Sequence, residues 1–83
     1  MPGWRTVTGQ EAVTLERELA RELPAGHVLN GRPVVVRARR DDRDVIACAV
    51  AELGLCLVHL TWQVETDPRW PGYELVDQLP VDD

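Results

Sequence analysis

Cys48, Cys56, His27 and His59 are the side chains in this sequence best suited to chemistry. A thiol nucleophile needs a base within reach and a partly exposed, electropositive setting. Cys56 and His59 are three apart on an apparent strand, so they point to opposite faces. Whether Cys48 meets His59 depends on a strand register that the sequence leaves open. There is no serine anywhere to act as a hydroxyl nucleophile. A metal ion needs three or four ligands, and these four side chains lack the C-x-x-C or H-x-x-x-H spacing that presents two from one element. His59, set in an apolar strand, reads as a core or half-core histidine bonded to a neighbour, and His27 as a turn contact. Asp41 and Asp42 could pair as carboxylates for acid–base work, but they lie in a charged turn between Arg40 and Arg43, where solvent keeps both ionised. No glycine-rich phosphate loop occurs. The expectation is a protein that is not an enzyme, with no catalytic residue, no cofactor and no metal ligand.

What remains is recognition. Trp62, Trp70 and Tyr73 place three large aromatics in a stretch stiffened by Pro68 and Pro71, and Trp, Tyr and Arg are the types most enriched at binding hot spots. The competing reading is that the tryptophans close the open side of a small core, with Arg69 at the rim. The candidate partner-binding residues are Trp62, Asp67, Arg69, Trp70, Tyr73 and Glu74.

Charge bears on the partner. The formal charge is −5, yet residues 1–64 balance eight acids against eight arginines, and the excess lies in residues 65–83, where six acids face Arg69 alone. Such a tail repels phosphate backbones and attracts a basic surface; the bland alternative is a solvated terminus that aids solubility. Arg37, Arg39, Arg40 and Arg43 form a basic cluster, but Asp41, Asp42 and Asp44 interleave with it, so nucleic-acid binding is not expected.

Composition sets the frame. A chain of 83 residues has room for one domain, read as 1–83 with a frayed acidic terminus over 77–83, and so small a core often recruits a partner or a second copy. Lysine, serine and phenylalanine are absent and all nine basic residues are arginine, a bias that fits the G/C-rich codons of a bacterial genome. With no basic start followed by an apolar run, and no stretch of about 18 apolar residues, the expectation is a cytoplasmic protein. Its two cysteines then read as buried thiols, with a disulfide as the alternative.

The elements that must position these residues follow from periodicity. Thr8-Gly9-Gln10-Glu11 fits a capping box, and Ala12, Leu15, Leu19 and Leu23 line one apolar stripe, with Glu16, Arg17, Glu18, Arg21 and Glu22 on the wetter faces. Pro24 and Gly26 end this helix. Val34 to Arg39 reads as a strand with Val34, Val36 and Ala38 inward and Arg37 and Arg39 outward. Val45 to Val50 and Leu55 to Trp62 follow as strands joined by short turns, and Ala47 and Ala49 give one face of the middle strand room for a close approach. If Cys48 stands opposite Cys56, both thiols share a face with Ile46, Val58, Leu60 and Trp62. Tyr73 to Val76 is an edge strand or one helical turn. The expected fold is α+β: one N-terminal helix packed on a three-stranded antiparallel meander (αβββ), with a short C-terminal segment.

His59-Leu60-Thr61-Trp62 followed by Asp67-Pro68-Arg69-Trp70-Pro71 resembles a set of small bacterial proteins with no assigned function. Gly26-His27-Val28-Leu29-Asn30-Gly31 and Ala38-Arg39-Arg40-Asp41 fit the same outline, so the resemblance spans most of the chain. It implies an αβββ domain and brings no activity and no functional residue. Members of that set continue into a further aromatic helix where this sequence has Pro80-Val81-Asp82-Asp83.

Two functions are consistent with these features. One is a small protein-binding module, of the inhibitor or immunity-protein kind, that docks on a basic partner through the acidic terminus and the Trp70 segment. The alternative is a domain that self-associates as a homodimer through a strand edge and binds a small ligand near His59 and the tryptophans.

Overall fold

The computed structural model describes residues 3–80. The element order is β1 (Trp4–Thr6), α1 (Gly9–Glu22), β2 (Val34–Arg40), β3 (Val45–Val50), β4 (Gly54–His59) and β5 (Gly72–Val76). All five strands join one antiparallel sheet in the order β1-β2-β3-β4-β5. The α+β class holds, but the sheet has five strands rather than three, with β1 and β5 added at its edges. β1 has three residues, too few for a period-2 pattern to register, and it is fixed by pairing with the far end of β2. β5 pairs with β4 and is an edge strand, not a helical turn. β4 stops at His59 rather than Trp62.

The helix starts where expected, with Thr8 in an extended N-cap conformation, but no side-chain capping bond forms there. Glu11 turns to Arg5 instead, meeting it in a two-pronged pair at 2.7 and 2.6 Å, and also reaches Arg39 at 3.4 Å. These contacts tie the start of the helix to β1 and β2. Among the described residues the helix buries Ala12, Leu15, Leu19 and Glu22, with Leu23 half-buried.

Register settles the faces. Cys48 stands opposite Cys56 and Val36, Ile46 opposite Val58, and Val50 opposite Val34. That side carries the core, closed by Leu15 and Leu19 of the helix and by Leu29 and Leu60 from the loops. The helix therefore lies on the Ile46, Cys48 and Val50 side of β3, and Ala47 and Ala49 point the other way.

A β-bulge between Val36 and Ala38 changes the phase of β2. Val34 and Val36 face the helix as expected. Beyond the extra residue Arg37 the alternation inverts: Ala38 lies on the far side, and Arg39 comes under the helix beside Glu11. The amide of Val36, next to the bulge, donates to Glu16 of the helix at 2.9 Å.

The opposite face of the sheet has no helix over it. Its rows across the strands are Val35, Ala49, Leu55 and Val76; then Thr6, Ala38, Ala47, Leu57 and Glu74; then Trp4, Arg40, Val45, His59 and Gly72.

Candidate interaction surface

Between β4 and β5 the chain runs from Leu60 to Pro71 as an irregular strap. It is held from beneath by two buried polar side chains, one at each end. Leu60 is buried and its amide donates to the carbonyl of Asp44 at 2.7 Å, which sets the strap's entry. Glu22, the last residue of the helix, is fully buried and grips the next two residues. Its Oε1 accepts from the Thr61 amide at 2.8 Å and the Thr61 hydroxyl at 3.1 Å, and its Oε2 accepts from the Trp62 amide at 2.8 Å. Successive amides converging on one anionic group form a backbone nest, and Trp62 adopts the left-handed conformation at φ 59° beside it. A non-glycine residue there is strained by roughly 1–2 kcal/mol. Three hydrogen bonds to one carboxylate offset that strain.

Glu22 was expected on a wet face. Burial pushes its carboxyl above the ordinary range, and the neighbouring Glu18 carboxyl adds to the rise, with the Thr61 and Trp62 donors pulling the other way. Glu18 is itself poorly exposed, which would raise it, but its pair with Arg21 at 2.8 Å and the bond to Glu22 bring it below the usual value.

At the other end His27 is buried in the loop after the helix. Its Nδ1 accepts from the Leu29 amide at 3.0 Å, so the ring proton sits on Nε2 and is donated to the Pro71 carbonyl at 2.8 Å. The ring also packs against Tyr73 with centroids 5.5 Å apart. The expected turn contact thus has a long-range partner. The Trp70-Pro71 peptide is cis.

The strap's middle is self-contained. Asp67 accepts from the Arg69 amide and pairs with its guanidinium at 2.7 Å, and these bonds hold the Asp67 carboxyl down at about 2. Trp62 is 45% exposed and Trp70 50%, so neither closes the core. The Trp70 ring lies over Gly72, where an added Cβ would meet it at 3.7 Å, on the uncovered side of the sheet. Tyr73 turns to the helix side against His27, and Glu74 alternates to the uncovered side. The six candidate residues therefore fall on one ribbon of chain but on both sides of the sheet.

The side chains considered for chemistry are dispersed. Cys48 and Cys56 are free and buried, with burial pushing Cys48 up to about 12 and Cys56 up as well. The Cys48 thiol faces the Cys56 carbonyl at 3.7 Å. His59 is not a core histidine: it ends β4, exposed, on the uncovered face and opposite to both thiols. Because β4 ends at His59 rather than Trp62, His59 stands at the strand's end and not in its middle. Among the described residues no three His, Cys, Asp or Glu side chains converge on a metal-sized site, and no helix is long and apolar enough to cross a membrane.

Comparison with models of protein families, with curated proteins and with solved structures finds no match.

Proposed function

We infer that the chain is a non-enzymatic protein-binding module of the bacterial cytoplasm, of the inhibitor or immunity type, that presents the Trp62 to Tyr73 strap to a basic protein partner. One observation carries this reading: two half-exposed tryptophans sit on a backbone that Glu22 and His27 lock from beneath. Large aromatics held rigidly at a surface lose little entropy on binding, the property of a hot spot. Exposed Glu74 and Asp77 lie at the strap's far end, and half-buried Glu65 lies within it. Together they supply negative charge that speeds encounter with a basic surface.

The test compares capture of a basic protein from lysate of the source cells by the intact chain and by Trp62→Ala and Trp70→Ala, with folding followed in parallel. The reading expects a protein retained by the parent, released by raised salt and lost from both folded variants. Equal capture by all three overturns it.

A further inference from the structure

The sheet has two edges, and they differ. β1 is three residues long, and its Arg5 is drawn into pairs with Glu11 and Asp41. β5 runs five residues in unbroken register with β4, free of proline and bulge, and nothing among the described residues pairs with its outer side. Unpaired N–H and C=O groups along such an edge accept another strand.

The phase of the ladder fixes which groups face out. In an antiparallel pair, opposed residues alternate between those that exchange both backbone hydrogen bonds and those that exchange none. Just beyond β3 and β4, the Leu60 amide donates to the Asp44 carbonyl. Counting in twos from there, Val58 bonds Ile46 and Cys56 bonds Cys48, so Leu55, Leu57 and His59 turn their backbone groups to β5. Their partners Val76, Glu74 and Gly72 are thereby used. Tyr73 and Leu75 point N–H and C=O away from the sheet. Pro71, the preceding outward residue, has no N–H, and its carbonyl is taken by His27 at 2.8 Å.

We propose that the outer edge of β5 binds an extended segment of a protein partner by strand addition, with apolar residues opposite Tyr73 and Leu75 and an arginine or lysine between them, opposite Glu74. This mode of binding rests on the preceding reading for its basic partner and adds the form in which a segment of that partner is held. Tyr73 and Leu75 face the helix side, but α1 lies over β2, and they stay 37% and 57% exposed. Alternate apolar residues of an added strand find a surface there. Glu74 lies exposed on the other face, and among the described residues no cation pairs with it. A cation opposite it completes a cross-strand pair.

A second copy fits this edge badly in every register. Antiparallel pairing centred on Glu74 sets two like carboxylates opposite each other. Centred on Tyr73, it sets Leu75 against Pro71, which has no amide to give. Centred on Leu75, it runs Tyr73 past the end of the strand onto Asp77.

A fluorescein-labelled, end-capped octapeptide alternating valine and arginine, titrated into the full chain and followed by anisotropy at physiological salt, tests this. Saturable binding is expected, with hydrogen exchange slowed at the Tyr73 and Leu75 amides and little changed at Glu74, whose amide is already bonded. Methylating the valine amides, which face β5, abolishes binding, and methylating the arginine amides does not. Glu74→Arg weakens binding about fivefold and turns the preference to a valine–glutamate peptide. Leu75→Pro removes an outward amide that the sheet does not use, and weakens binding about tenfold or more in a folded chain. Absence of saturable binding overturns the proposal, as does binding that leaves exchange at Tyr73 and Leu75 unchanged. Equal loss from both methylated peptides, or a charge preference indifferent to Glu74→Arg, does so too. Should Leu75→Pro fail to fold, the methylated peptides decide. Trp62→Ala lies outside β5 and leaves peptide binding intact, so failure here is separate from failure of the strap reading.

Discussion

The two faces of this sheet are built from the same strands and behave as different materials. On the helix side Val36, Ile46, Cys48, Cys56 and Val58 are almost wholly buried under Leu15, Leu19 and Leu29. On the other side Val35, Leu55, Leu57 and Val76 keep contact with water. The first face is the hydrophobic core and the second is the wetter side of the sheet. The strap links them: its anchors, Glu22 and His27, belong to the covered side, and Trp70 projects on the open one.

The contrast is broken most sharply by truncating one leucine on each side. Leu19→Ala is expected to lose about 3–4 kcal/mol in denaturant unfolding because it opens a cavity under the helix. Leu57→Ala is expected to lose under about 1 kcal/mol, since its site is partly hydrated already. Glu22→Ala leaves two amides without partners and should cost about 2–3 kcal/mol, with hydrogen exchange quickened first at Thr61 and Trp62. Trp70→Ala, half-exposed, should cost no more than about 1.5 kcal/mol, well short of the loss a core tryptophan would give.

The smallest effect is a pH slope, and it sharpens the same contrast. The Glu22 carboxyl is raised in the folded state, chiefly by burial. Its contribution is thus fully present below the ordinary glutamate value and lost as pH rises through the folded value. Asp67, on the exposed strap, is held at about 2 by Arg69 and has the opposite sign. Its contribution is present above the ordinary aspartate value and lost as pH falls through about 2. Unfolding midpoints measured across the acid range should show the Glu22 slope disappear in Glu22→Gln and the Asp67 slope disappear in Asp67→Asn.

Much of the covered face was legible in the sequence, because α1 and strands β2 to β4 repeat their apolar residues with the period of the element. The thiols fall opposite each other and share a face with Ile46 and Val58, the arrangement a Cys48–Cys56 pairing requires. The bulge was not legible. One inserted residue inside Val34 to Arg40 leaves the composition of the strand unchanged while reversing Arg39 and Ala38. Glu22 carries a usable signal despite its charge: it lies three residues after Leu19 and seven after Leu15, on the apolar stripe. The candidate strap was visible as a cluster of aromatics and prolines, but its anchoring was not, since Glu22 and His27 lie roughly 40 residues upstream.

The left-handed backbone at Trp62 bears on how this strap could be transplanted. Glycine adopts that geometry without penalty, so a design that copies only the loop shape would choose glycine and discard the indole. Grafting the strap onto another scaffold means carrying a glutamate at a helix terminus along with it, as the clasp that lets so bulky a side chain occupy a glycine's place.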